Sequence, residues 1–429
     1  MIEVENENAI LIGVNVKDQA DFQESMGELK NLTIARGMKV VGSLEQNLKS
    51  VDPAHYIGAG KVEEIKSLLL EKKANALIFN NELSPSQLHN LETELGCRIL
   101  DRTTLILEIF SERAKTREAK LQVEVAKLQY LLPRLVGTGE NLGRQSGGVG
   151  TKNRGSGEKK LELDKRKIET KISELNHELE SLTKERETQR KKRRKTDISS
   201  IALVGYTNAG KSTLMNAMVE TYKKPESKKV LEKDMLFATL ETSVRSIYLP
   251  NHKMFFLSDT VGFVSDLPHE LVKAFRTTLE EVIEADLLLH IVDYSNPNYK
   301  KQIKVTTDTL QQIGAGHIPV IYVYNKSELT DVNIPTAQED RIYLSAKNRI
   351  GIVELVEQIE RQIYKLYIKC SMLIPYSDGN VVSYLNEHAI VEFVEHKEEG
   401  TYLTLQCKES DFHKFMRYVE TNKYLPQNT

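Results

Sequence analysis

The run Gly205-Tyr206-Thr207-Asn208-Ala209-Gly210-Lys211-Ser212 constrains the fold of this chain more than any other stretch. It matches G-x-x-x-x-G-K-[ST], follows the apolar run ISSIALVG and precedes the helical pattern TLMNAMVE. That context reads as a strand, a tight loop and a helix within an α/β sheet. The residue types fit phosphate chemistry. Glycines at 205 and 210 let backbone N–H groups wrap phosphates. Lys211 brings a point charge between the β- and γ-phosphates. Ser212 offers a hydroxyl to Mg²⁺, and the helix N-terminus around Thr213 favours anions. A similar string, Gly58-Ala59-Gly60-Lys61, lacks the first glycine of the pattern and has Val62 where the hydroxyl belongs. It reads as a turn that opens a helix.

Further elements of a nucleotide site follow in order. Asp259 ends the apolar run MFFLSD and is placed to hold Mg²⁺ through water. Gly262 offers its N–H to a γ-phosphate. Thr239, in LFATLETSVR, stands where a GTPase places the first switch threonine, whose hydroxyl completes the Mg²⁺ shell. Lys211, Thr239 and Gly262 are therefore the candidate catalytic set, and Ser212, Thr239 and Asp259 the candidate metal ligands. Asn325-Lys326-Ser327-Glu328 follows IPVIYVY and resembles the guanine-reading N-K-x-D, with the carboxylate one methylene longer. Ser345-Ala346-Lys347, after RIYLS, supplies the last base-facing loop. Phe263 occupies the position where small GTPases carry the glutamine that orients the attacking water, and a phenyl ring cannot do so.

A chain of 429 residues implies several domains. The expected class is α/β multidomain. Residues 1–110 alternate strand-like runs (AILIGVNV, MKVVGSL, NALIFN, CRIL) with helical segments near 19–35, 60–73 and 84–95, the last capped by Ser84. This predicts a small parallel sheet. Residues 111–195 carry heptad-spaced apolar positions, Leu121, Val125, Leu128 and Leu132, then Leu161, Ile168, Ile172, Leu175, Leu179 and Leu182. The pattern predicts an antiparallel helical hairpin joined by a Gly-rich loop over 133–158. Residues 196–367 predict a Ras-like P-loop domain. Residues 368–429 predict a small α+β domain with a hairpin around Lys397–Gly400 and a short following helix.

Charge is distributed unevenly. Residues 111–196 hold 23 Lys/Arg against 13 Asp/Glu, whereas the whole chain has a formal net charge of −2. A basic module in an acidic chain suits a polyanionic partner or a solvated helical face. RKKRRK over 190–195 reads equally as a basic linker or an RNA contact. Three scattered cysteines give neither a disulfide framework nor a zinc site, as in a reducing cytoplasm. No signal-peptide pattern and no run of about 18 apolar residues is present, so no membrane span is expected.

The strings YIGAGKVEEI, LDRTTLILEIFSERAKTREAKLQVE, GEKKLELDKRKI, GYTNAGKSTLMN, LFATLETSVR and DTVGFVSDLPHELVKAFRTTLEE together resemble HflX, a family of ribosome-associated bacterial GTPases. The resemblance runs over nearly the whole chain and is weakest after residue 367. It implies GTP and Mg²⁺ as cofactors, a monomer, and binding to the 50S subunit and the 70S ribosome. It implies that the hairpin loop reaches the peptidyl transferase centre in 23S rRNA, with Arg144, Lys152, Asn153, Arg154 and Lys159 as rRNA contacts. It further implies splitting of stalled 70S ribosomes and recycling on hydrolysis. The family loop reads G-T-R-G-P-G-E; here it is Gly150-Thr151-Lys152-Asn153-Arg154-Gly155-Ser156-Gly157-Glu158, two residues longer, with serine in place of proline. A longer basic tip suits a drug-resistance variant, and neutral loop drift suits it equally.

Two substitutes for the missing glutamine are open. Asn208 stands where potassium-activated GTPases place a K⁺ ligand, or else it merely caps the loop; alternatively the ribosome orders the switches. Both predict slow intrinsic hydrolysis. The alternative function is an RNA-remodelling NTPase in ribosome assembly, since Glu328 leaves ATP open.

Overall fold

The computed structural model describes residues 7–16, 21–145, 154–195, 198–222, 243–249, 254–260, 262–264, 280–363 and 367–420. Two compact units divide the chain, one built on residues up to Glu185 and one on residues from Arg186, with Gly262–Val264 clustering with the first.

The first unit is a parallel sheet of β1 (Asn8–Val16), β2 (Lys39–Leu48), β3 (Ala76–Phe79) and β4 (Arg98–Asp101), in the order β2-β1-β3-β4. The crossovers are α1 (Phe22–Ala35), α2 (Ala59–Lys72) and α3 (Pro85–Leu95). These elements lie close to where the hydrophobic runs predict them. β3 is buried along its whole length, which is why ALIF carries no polar residue. Ser84 accepts from Gln87 N while Gln87 answers through its side chain, a reciprocal cap with proline in the first turn. Gly58 N-caps α2 in extended backbone, and Lys61 pairs with Glu64, so the Gly58–Lys61 string is a helix start.

β4 runs directly into α4 (Arg102–Arg113), whose first turn is capped by the Asp101 side chain at Thr104 N, 2.8 Å. Then come the long helices α5 (Arg117–Gln145) and α6 (Arg154–Lys195). Here the structure corrects the sequence reading. The expected loop over 133–158 is mostly helix: α5 continues through Pro133, and α6 already begins at Arg154. A proline deletes one N–H and crowds the preceding turn. The next residue, Arg134, ties the helix back by donating to Leu83 O and Asp101 Oδ2, each at 3.0 Å.

The heptad reading is also incomplete for α5. Ala119, Val123, Ala126 and Tyr130 form the stripe buried in the unit's core. Leu121 lies on a second face, lining a cleft with Leu175 of α6. Arg117 of α5 pairs with Glu178 of α6 at 2.5 Å, as antiparallel arms require.

In the second unit a seven-stranded sheet has the order β10-β11-β9-β8-β5-β7-β6. Its members are β5 (Ser200–Gly205), β6 (Ser243–Tyr248), β7 (Met254–Asp259), β8 (Leu287–Asp293), β9 (Val320–Asn325), β10 (Thr336–Gln338) and β11 (Arg341–Tyr343). β6 and β10 run antiparallel to their neighbours; both are too short or too polar to read as strands from sequence. Helices α7 (Lys211–Thr221) and α9 (Ile352–Ile363) share a core with one face of the sheet, and α8 (Tyr299–Gln312) packs beside β5 and β8. Only a 3-10 turn, Ser327–Leu329, and β10 intervene between β9 and β11, and Tyr294, Tyr299, Tyr324 and Tyr343 cluster together, with the Tyr324 and Tyr343 rings stacked at 4.7 Å.

The tail is an antiparallel sheet of β12 (Tyr367–Ile374), β13 (Ile390–Lys397) and β14 (Gly400–Lys408) in the order β12-β14-β13. The expected hairpin and the following helix α11 (Glu409–Lys414) are present. β12 and the helix α10 (Gly379–His388) were not legible, because their apolar residues show no sustained period. Among the described residues no helix is long and apolar enough to cross a membrane.

Candidate nucleotide site

The site lies where the parallel strands β5, β7, β8, β9 and β11 end, the edge at which open α/β sheets bind ligands. Gly205 closes β5 with φ +146°, and a Cβ there would sit 2.2 Å from Ile291 O. Gly210 has φ +95°, and a Cβ there would sit 2.2 Å from Asn325 Nδ2. Both positions need glycine for space and for backbone conformation. Asn208 holds left-handed backbone with φ +60° and an exposed side chain. Ala209 is fully buried.

Lys211 opens α7 and is buried, its Nζ donating to Gly205 O at 3.0 Å and Tyr206 O at 2.8 Å. Burial pushes its ammonium down to about 8, opposed by the carboxylate of Asp259. A lysine held among carbonyls in low dielectric is poised to gain from phosphate charge. Ser212 Oγ donates to Asp259 Oδ2 at 2.6 Å, which brings the two described metal-ligand candidates together. A hydroxyl beside a carboxylate is an all-oxygen donor set that fits Mg²⁺. The strand beneath is fixed by Ser258 Oγ on Ile201 O (3.1 Å) and Thr260 Oγ1 on Leu203 O (2.5 Å).

The base side is equally built. Asn325 Nδ2 donates to Ala209 O at 2.9 Å, and its Oδ1 accepts from Ala346 N at 3.0 Å. Ser345 is fully buried and its Oγ accepts from Asn348 N at 3.2 Å, while Lys347 is exposed. Glu328 carries a buried Oε2 with no hydrogen-bond partner. A buried carboxylate oxygen left without a donor costs free energy, and the N1–H and N2–H₂ of guanine are donors that would satisfy it. Lys326 has φ +59°, and its Nζ lies 2.8 Å from Asp293 Oδ2.

Gly262 and Phe263 are both buried, Phe263 at 5% exposure, and Val264 belongs to the core of the first unit. A buried phenyl ring packs and does not position water. Thr239, Lys152 and Asn153 lie outside the described residues. Arg144, Arg154 and Lys159 fall on helical backbone, with their side chains likewise outside the described set.

Sequence reasoning missed Asp293 and His290. Asp293 ends β8 next to the base strand, a placement that could have marked it. His290 lies buried in β8, kept neutral by burial and by Lys211, which push it down to about 3. A histidine inside LLLHIVD gives no outward signal.

Three family descriptions match in succession: GTP-binding GTPase N-terminal over residues 23–111, GTP-binding GTPase Middle Region over 113–193, and 50S ribosome-binding GTPase over 200–326. GTPase HflX of Caldanaerobacter subterraneus subsp. tengcongensis is 45% identical over 396 residues, covering 92% of this chain and 90% of that one. GTPase HflX of Alkalihalophilus pseudofirmus is 42% identical, covering 90% and 89%. GTPase HflX of Escherichia coli K12 is 35% identical, covering 94% and 93%. With the phosphate loop, the metal-ligand pair and the base loops assembled at one sheet edge, and relatives of this identity spanning almost the full length, the chain belongs to the HflX family of GTPases.

Proposed function

We propose that this GTPase acts on the ribosome: it binds the 50S subunit, splits stalled 70S ribosomes and leaves when GTP is hydrolysed. The observation that carries the reading is the burial of Phe263 at the position of the missing glutamine. A site with the phosphate loop built and no side chain there to orient water is suited to slow intrinsic turnover, raised when a partner completes it. The basic character of residues 111–196 supports rRNA as that partner, Arg/Lys meeting phosphates. The family description 50S ribosome-binding GTPase, matched over 200–326, supports it too.

In this reading the chain works in four parts, divided as 1–110, 111–195, 196–367 and 368–429. Lys211 and the backbone around Ala209–Gly210 would hold the phosphates, Ser212, Asp259 and Thr239 would hold Mg²⁺, and Asn325 with Glu328 would select guanine. Bound Mg²⁺ would supply positive charge to the phosphates. Asn208, exposed on left-handed backbone, is available as a K⁺ ligand. Arg144, Lys152, Asn153, Arg154 and Lys159 would contact 23S rRNA around the peptidyl transferase centre, and the longer tip would relieve drugs bound there. The protein then works as a cytoplasmic monomer.

The test is GTP hydrolysis in K⁺ buffer with and without purified 50S subunits. Stimulation by a factor of ten or more supports the reading, and fast turnover unaffected by 50S overturns it. Replacing K⁺ by Na⁺ separates the Asn208 idea from the ribosome. Deleting Lys152-Asn153 and measuring drug susceptibility tests the tip, with unchanged resistance counting against it.

A further inference from the structure

The ion pair between Lys326 and Asp293 joins the base loop to the neighbouring strand. Asp293 is the last residue of β8 and pairs in register with Asn325 of β9. One carboxylate oxygen, Oδ2, meets the Lys326 ammonium at 2.8 Å. The other, Oδ1, accepts from Ser295 N at 3.1 Å and Ser295 Oγ at 2.6 Å. Asp293 is thus held from its own loop while it holds the lysine. The two side chains are 18% and 26% exposed, and an ion pair in that setting adds little to folding.

The arrangement has a clearer meaning for binding. Lys326 stands in left-handed backbone, so its Cα–Cβ direction is fixed, and the Asp293 carboxylate fixes the far end of the side chain. The four-carbon stem between them is restrained at both ends. A lysine side chain otherwise surrenders much rotamer freedom when ordered, and ordering it beforehand lowers the cost of ligand binding. The edge-reading group, Glu328, lies two residues on.

We infer that Asp293 is a positioning residue for the nucleotide base: by anchoring the Lys326 ammonium it keeps the lysine stem ready as an apolar wall for the base. The inference rests on the reading that Asn325 and Glu328 frame a guanine pocket. Wall and edge act differently. The wall meets any purine ring, whereas the carboxylate edge distinguishes guanine from hypoxanthine, which lacks the 2-amino group.

The test uses the full-length protein and fluorescent GTP, GDP and ITP. Asp293→Asn should raise Kd for all three by about tenfold. The GTP:ITP ratio and the single-turnover hydrolysis rate at saturating GTP should stay as in the parent. Glu328→Gln should change the ratio instead. Lys326→Met should weaken binding by a similar factor, and adding Asp293→Asn to it should change Kd less than twofold, because the carboxylate acts only through the lysine. The inference is overturned if Asp293→Asn leaves Kd unchanged, shifts the GTP:ITP ratio, or has its full effect in the Lys326→Met background. A parent protein that binds ATP as well as GTP would sink the guanine reading separately. The double-variant comparison would still judge the wall with whichever purine binds.

Discussion

Asn325 and Ala209 lie 116 positions apart and are joined by one hydrogen bond, from the asparagine Nδ2 to the alanine carbonyl at 2.9 Å. The same side chain accepts from Ala346 N. One amide therefore fixes the phosphate loop, the base strand and the last loop against each other. Asn325→Ala would leave a buried carbonyl and a buried N–H without partners, at about 1–3 kcal/mol each. Nucleotide affinity should fall at least ~10-fold in a fluorescence titration, with loss of binding to GTP and GDP alike. A change under about twofold would mean that the loops hold each other without it.

Lys211 gives a pH signature. Burial brings its ammonium from 10.5 to about 8 in the free protein. Bound phosphates favour the charged form, so binding takes up a proton above pH 8. Kd for GDP should be flat from about pH 6.5 to 7.5 and then rise toward tenfold per pH unit above 8. The stability of the free protein moves the other way. Between about 8 and 10.5 the folded lysine holds fewer protons than the unfolded one, so its unfavourable contribution, full below pH 8, fades as pH rises through that window. A Kd with no inflection near 8 would overturn the burial argument.

The two glycines should fail differently. At Gly205 a methyl group would meet a backbone carbonyl in the sheet, so Gly205→Ala should destabilise the second unit by several kcal/mol and lower its melting temperature. At Gly210 the obstacle is the Asn325 side chain, which can move. Gly210→Ala should fold with a smaller loss, about 1–3 kcal/mol for the left-handed backbone, while losing nucleotide binding. Calorimetry and a nucleotide titration on both variants would separate these outcomes.

Asp101 secures the first unit. It is 2% exposed, caps α4 at Thr104 N, and accepts from Arg134, Leu83 N and the Tyr130 hydroxyl. Burial and this carboxylate push the Tyr130 phenol up from its ordinary range. Asp101→Ala removes the cap of α4 and the acceptor shared by Tyr130, Leu83 N and Arg134, leaving the guanidinium with Leu83 O and Glu82, a change worth about 2–4 kcal/mol. Amide exchange in β4 and the start of α4 should speed up by on the order of a hundredfold or more. Unchanged exchange would show that Arg134 finds other acceptors.

Much of this was legible in the residues. The central parallel strands β1, β3, β5 and β8 are short apolar runs buried along nearly their whole length, and the phosphate loop has a spacing that chance seldom gives. Less legible was anything depending on a partner far along the chain. Val123 and Tyr130 lie on one more helical stripe until α3 and α4 pack against α5 and the core closes over them. Pro133 reads as a stop until Arg134 finds Asp101. Asp293 reads as a strand end until β8 and β9 place it beside Asn325. β6 failed for another reason: SVRSIY alternates polar and apolar residues over too few positions to stand out.

The 42 residues of α6 have a mechanical meaning. At 1.5 Å per residue such a helix is about 63 Å long, roughly twice the diameter of a small domain. It is a lever. A tilt of about 5° at its Lys195 end carries the Arg154 end some 5 Å sideways, close to one helical turn. Angular changes too small to notice at one end would become steps of molecular size at the other, and stiffness along the shaft, more than affinity at either end, would set how faithfully they arrive.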